Sequence, residues 1–127
     1  MAALIHLDTH VVAWLYAGRA DLLSRRAALA IEEEDLAISP MVVLELEYLR
    51  ETKRLAVSGP AIVRALETQI GLRVSEHGFN TIIRSALDQD WTRDPFDRII
   101  VGHAIAAACG LVTKDRSIRR RYDRAVW

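Results

Sequence analysis

The sequence predicts an α/β domain on a mainly parallel sheet, and three observations carry that reading. Short apolar runs alternate with helical stretches over the whole length, Gly, Pro and Asp punctuate the joins, and no internal repeat, linker or low-complexity segment interrupts the pattern. In such sheets ligands gather beyond the carboxyl ends of the strands, so acids placed there are the first candidates for a site.

The elements follow in order. Residues 3 to 7 (ALIHL) read as a strand that breaks at Asp8, and an amphipathic helix from Thr9 to about Ala17 is closed by Gly18. Residues 22 to 34 are rich in Ala, Leu, Glu and Arg and read as a helix leading into a second strand, LAIS, at 36 to 39. Pro40 suits the first turn of a helix from about 41 to 53. Gly59 and Pro60 precede another helix, AIVRALETQI, which Gly71 ends before the short strand LRVS at 72 to 75. Residues 77 to 89 read as helix. Asp94 and Pro95 open a long apolar helix running to Cys109, with Gly110 as its terminator and LVT at 111 to 113 as the next strand. A short basic helix (SIRRRY) and a terminal Ala-Val-Trp edge strand complete the pattern.

A chain of 127 residues with 51% hydrophobic residues suits a single domain over 1–127. Its 17 basic and 17 acidic residues cancel, so whole-molecule charge marks neither a strongly basic nucleic-acid binder nor an acidic tail. No apolar run approaches the roughly 20 residues that span a bilayer, and the start shows no leader, so the chain reads as soluble, with no membrane partner. The lone Cys109 cannot form an internal disulfide, in keeping with a cytoplasmic setting.

Four acids stand out. Asp8 directly follows the first strand and Asp115 lies two residues after LVT, so both project from one edge of the sheet. Glu45 lies five residues into the helix leaving LAIS, and Asp97 lies in the first turn of the helix opened by Pro95. At about 100° per residue, Met41, Val42, Tyr48 and Leu49 all fall within roughly 60° of Glu45, which puts it at the centre of an apolar face. Val43 and Leu44 fall on the other side, as for a helix buried twice or at a subunit contact. Asp97 shares its face with Val101, Ala104 and Ala108. Inward carboxylates are costly unless something pairs with them, and a metal ion is one such partner. Hard cations such as Mg2+ or Mn2+ take oxygen ligands, and a bound ion acidifies water and stabilises the charge that builds on a phosphodiester.

With these acids in this order, the segments LIHLDTHVVAWL, ISPMVVLELEYL, RDPFDRIIVGHAIA and LVTKD closely resemble the PIN-domain family, in particular VapC-type toxins of bacterial toxin-antitoxin pairs. The likeness runs from residue 4 to residue 115. It implies a three-layer α/β/α fold and an Mg2+- or Mn2+-dependent endoribonuclease, usually a homodimer, held inactive by a cognate antitoxin. It assigns Asp8, Glu45, Asp97 and Asp115 to the metal site, with Thr113 as a hydroxyl residue that supports it. Asp94 and Thr9 join Thr113 as supporting residues. His10 departs from the Asn or Ser that many members carry after the Asp-Thr pair.

Ordinary structural roles stand beside these. Asp94 is a good N-cap for its helix, Asp115 a good cap for the helix at Ser117, and Asp8 a strand-ending turn residue. For Glu45 the alternative is a buried ion pair with an arginine. Six basic residues against two acidic ones between 114 and 124 suit RNA phosphates, a solvated helix face or an acidic partner segment equally. Arg98, Lys114 and Arg116 are the candidates to touch substrate. His6 and His103 read as core or supporting groups, and the histidines at 6, 10, 77 and 103 show no zinc spacing. Trp14, Trp91 and Trp127 are not interleaved with the arginines along the chain and read as packing residues. Two rivals remain: a non-catalytic α/β module that holds a cation as a clip, and a phosphotransfer receiver. The second lacks an acidic pair after the first strand and a phosphoacceptor after LAIS.

Overall fold

Among residues 2–127, which the computed structural model describes, five strands form one parallel sheet in the order β3-β2-β1-β4-β5. They are β1 (Leu4–Leu7), β2 (Asp35–Ile38), β3 (Arg73–Val74), β4 (Gly110–Val112) and β5 (Ala125–Val126). β1 pairs with β2 at Ile5–Leu36 and with β4 at His6–Leu111. The expected terminal edge strand is β5, parallel to β4. Successive strand residues face opposite sides, yet Ile5, His6 and Leu7, and likewise Leu36, Ala37 and Ile38, are all buried. Helices therefore cover both faces, which makes three layers.

The helices are α1 (Thr9–Tyr16), α2 (Arg25–Glu33), α3 (Pro40–Glu51), α4 (Gly59–Ile70), α5 (Phe79–Leu87), α6 (Pro95–Ala106) and α7 (Arg116–Arg121). Short polar side chains start most of them. Ser24 accepts from the Ala27 amide, Ser39 from Met41 and Ser58 from Ala61, each satisfying an amide that the first turn leaves unpaired. None of the described helices is long and apolar enough to cross a membrane.

The helix expected to reach Cys109 stops at Ala106. Ala108 turns into the left-handed region at φ 52°, and Cys109 is buried with its amide bonded to the Ala104 carbonyl. Gly110 is not the terminator; it opens β4, where an added Cβ would come within 3.1 Å of the Arg124 carbonyl beside it. That close approach favours glycine.

The chain runs outward from β1 through β2 to β3, then returns to the other side of β1 for β4 and β5. Strand order reverses between β1 and β4, and in open sheets that reversal leaves a crevice beyond the strand ends. α6, the last helix of the connection that makes the return to β4, is held against α5 at Gly102, where a Cβ would sit 2.8 Å from the Ala86 amide nitrogen and 3.0 Å from the Ile82 carbonyl. Gly102→Ala should push the two helices apart and cost about 1–3 kcal/mol in urea unfolding, with an unchanged midpoint contradicting this packing.

Two fully buried histidines lie in the core. His6 Nε2 meets Ser75 Oγ at 2.7 Å and His103 Nε2 meets His77 Nδ1 at 3.1 Å, while neither buried Nδ1 has a partner. Burial, with the neighbouring histidines, lowers both pKa values to about 4 from 6.5. Both rings are thus neutral in the native state above about pH 4, while the unfolded chain takes up protons below about pH 6.5. Stability should therefore fall between pH 6.5 and 4, by roughly 3 kcal/mol for each ring. Urea midpoints across that range check this, and His103→Gln should flatten the slope.

Candidate metal centre

The crevice at the strand reversal is built from both of its strands. Asp8 follows β1 and is only 7% exposed; its Oδ1 accepts from the Thr9 amide at 2.8 Å and its Oδ2 from the Thr113 hydroxyl at 2.6 Å. Thr113, fully buried after β4, also accepts from the Asp115 amide at 3.1 Å. One hydroxyl therefore fixes the first acid and orients the loop that carries the last. Asp115 lends Oδ1 to the Ile118 amide as the cap of α7, at 2.9 Å. The capping role and the cleft position are held by one side chain.

α3 and α6 complete the cluster. Glu45 accepts a hydrogen bond from the Thr9 hydroxyl, so the residue after Asp8 orients the second acid. The buried face of α3 centres on Val42 and Leu46, whereas Tyr48 is 49% exposed. Glu45 therefore stands at the border of that face and not at its centre, half-buried and open to the cleft. Asp94 caps α6 by accepting from Phe96 at 2.8 Å and more weakly from Asp97 at 3.4 Å. That cap fixes the turn from which Asp97 projects.

Asp8, Glu45, Asp94, Asp97 and Asp115 line one cleft of about 450 Å3, together with His10, Trp14 and Lys114. Neither ion pair among the described residues, Arg19–Asp21 or Arg50–Glu47, involves any of them. An arginine partner for Glu45 is thereby excluded among these residues. Burial foremost pushes the Asp97 carboxyl up to about 7, with the charges of Asp94, Asp8, Asp115 and Glu45 adding to the effect. Burial also raises Asp8 against the pull of its Thr113 and Thr9 bonds, and raises Glu45 against its Thr9 bond. His10 acts the other way on both, so position 10 stabilises their charged forms electrostatically.

No three His, Cys, Asp or Glu side chains among the described residues converge as a ready-made ligand set. The acids that line the cleft offer carboxylate oxygens, the donors that a hard ion takes. Mutual repulsion spreads uncompensated carboxylates.

The three basic candidates separate. Lys114 lines the cleft, with Nζ 5.9 Å from the centre of the Trp14 ring. Arg98 does not reach it: its guanidinium donates to the Ala86 and Leu87 carbonyls, each at 3.1 Å, and so ties α6 to the end of α5. Arg116 faces a different hollow. Trp14 packs against the core, as the sequence leads one to expect, and also lines the cleft; its spacing of four from His10 puts both on one side of α1, a signal present in the sequence.

The sequence pattern of the PIN domain matches residues 5–124. Ribonuclease VapC22 of Mycobacterium tuberculosis is 34% identical over 125 residues, covering 94% of each chain. Among solved structures, VapBC2 of Rickettsia felis, bound to a promoter DNA fragment, superposes with a TM-score of 0.67 at 16% identity, covering 96% of both chains. A toxin-antitoxin complex from Klebsiella pneumoniae gives 0.65 at 21% identity, over 99% of this chain and 97% of that one. At these identities the structures speak for the fold alone. The sequence match over residues 5–124 and the relative at 34% identity place this chain in the PIN-domain family.

Proposed function

We propose that this protein is a divalent-metal-dependent endoribonuclease, acting in the cytoplasm as the toxin of a toxin-antitoxin pair. The observation that carries it is one cleft, at the strand reversal, lined by five carboxyl groups that take part in no ion pair among the described residues, three of them pushed toward protonation. A cation is what such a cluster lacks.

Asp8, Glu45, Asp97 and Asp115 are the residues that would hold Mg2+ or Mn2+. Such an ion, when bound, lowers the pKa of water and offsets the charge that grows on a phosphodiester during in-line hydrolysis. The chain's own groups do the positioning. Thr113 and the Thr9 amide fix both oxygens of Asp8, the Thr9 hydroxyl fixes Glu45, and Asp94 sets the first turn beneath Asp97. Lys114 supplies a positive charge at the mouth for a substrate phosphate. The relative named as a ribonuclease supports RNA as the substrate.

A cognate antitoxin is part of the same reading. The superposed structures are toxin-antitoxin complexes, and an arginine presented by such a partner would meet unpaired carboxylates in the cleft. Self-association is supported by Leu44 and Tyr48, 44% and 49% exposed on α3, where Tyr48 packs edge-on against Phe96. Cys109 is a buried free thiol, in keeping with the cytoplasm.

Incubated with a total RNA pool, the protein should cut in Mg2+ or Mn2+ and stop in EDTA. Asp8→Asn should lower cleavage at least 100-fold while melting within a few degrees of the wild type. Cutting in EDTA, or an active and folded Asp8→Asn, contradicts the metal-centred reading. Asp97 gives an independent test. Its carboxyl is raised to about 7 in the folded state, so ionising it costs stability as pH rises from about 4 to 7. In EDTA at pH 8, Asp97→Asn should be the more stable protein, on the order of 1 kcal/mol once screening at its exposed side is allowed for. At pH 4 the difference should vanish, and added Mg2+ at pH 8 should raise the melting temperature of the wild type more than that of the variant.

A further inference from the structure

A second hollow, of about 530 Å3, lies beyond the acid cleft and is lined by Arg26 of α2, by Arg116, Arg119 and Arg120 of α7, by Ala125 and by Trp127. It contains no acid. Its four guanidiniums have no carboxylate partner, since neither ion pair among the described residues includes them. Arg116, Arg119 and Arg120 share one face of α7 by their spacing, and Arg26 joins them from a helix some ninety residues earlier. A merely solvated basic helix does not require that convergence from two elements.

The hollow also adjoins the cleft. Arg116 follows Asp115, which lines the cleft. The Trp127 ring stands 6.1 Å from the Trp14 ring, and Trp14 lines the cleft with Lys114 above it. Both indoles are half-buried, so each keeps an accessible surface. The order along the surface is therefore carboxylates, Lys114 with Trp14, Trp127, then four arginines. Single-stranded nucleic acid is bound by this combination of cationic groove and aromatic platform, because every nucleotide carries one phosphate and one π-face. An acidic protein segment would use the guanidiniums and leave both indoles unused.

We propose that this strip is the track of the substrate strand: single-stranded RNA leaving the acid cleft crosses the Trp14–Trp127 step and seats its next phosphates among Arg26, Arg116, Arg119 and Arg120. The proposal rests on the nuclease reading of the cleft.

The test is binding of a fluorescein-labelled, mixed-sequence single-stranded RNA 12-mer in EDTA, across a salt series, with cleavage of the same RNA in Mg2+ measured in parallel. Arg119 and Arg120 are exposed, so Arg119→Ser/Arg120→Ser should fold, and circular dichroism checks that it does. The double variant should bind at least tenfold more weakly, and its slope of log K against log salt should be shallower by about 1.4, for two lost phosphate contacts. Trp127→Ala should weaken binding with the salt slope unchanged. Wild-type affinity and slope in the double variant, alongside normal wild-type cleavage, overturns the track and leaves the nuclease reading standing. Arginine-dependent binding by a wild type that never cuts in Mg2+ overturns the nuclease reading and keeps the strip as an RNA surface. A poly-glutamate peptide that binds the wild type and not the double variant, with RNA affinity equal in both, overturns the track in favour of an acidic protein partner.

Discussion

The hydrogen bond from Thr113 to Asp8 joins residues 105 positions apart across the point where strand order reverses. It lies in a buried setting where a lone carboxylate would be expensive, and it is made by a hydroxyl that simultaneously accepts from the Asp115 amide. Two strands of the sheet are thus locked at their carboxyl ends by the same atoms that orient the first and last acids of the cleft. The remaining acids arrive from helices whose own starts are fixed by short polar caps, so each carboxylate is aimed by a group that also has a structural duty. This economy has a consequence for the fold: Asp8 and Asp115 satisfy first-turn amides while facing one another's charge. Capping offsets part of what repulsion costs.

Charge on this molecule is separated locally, and the neutral total conceals it. The acids crowd one cleft, while α7 and Arg26 form an uncompensated basic hollow beside it. The histidine group is a third local concentration, kept neutral by burial. The acid cluster loses stability as pH rises and the histidine group as pH falls. The cation-free protein is therefore pressed from both sides near neutrality, and a bound ion relieves the acidic side alone.

Much of this was legible in the chain because it depends on short-range rules. Asp8 and Asp115 could be placed because strand ends are marked by a polar residue after an apolar run, and Asp97 because Asp94-Pro95 announces a helix start. What failed depended on distant partners. Periodicity put Glu45 at the centre of a buried face, but Val42 and Leu46 set that face once α4, α6 and α1 pack against α3. Arg98, adjacent to Asp97 in sequence, turns to the carbonyls at the end of α5 because successive helical residues project about 100° apart. The helix stop at Ala106 has no Gly or Pro signal, since Ala108 itself takes the left-handed turn and leaves Gly110 for the tight contact in β4. Trp14 and Trp127 lie 113 positions apart, so their ring contact is invisible to any local reading.

A polyanionic substrate must enter a cleft that is itself crowded with carboxylates. A bound cation answers this only at the scissile phosphate, since charges are screened beyond about 8 Å at physiological ionic strength and the flanking phosphates need their own counter-charge. Any basic group that helps must therefore sit close to the acids without pairing with them, or it would quench the cleft. Lys114 meets that condition by resting over Trp14, where the ring face holds its ammonium. The arginines meet it by lining the neighbouring hollow with Trp127, whose ring stands 6.1 Å from that of Trp14, and none of them takes part in an ion pair among the described residues. Opposite charge densities are thus neighbours on one small surface, with the aromatic pair between Lys114 and the arginine hollow and no ion pair among the described residues joining them.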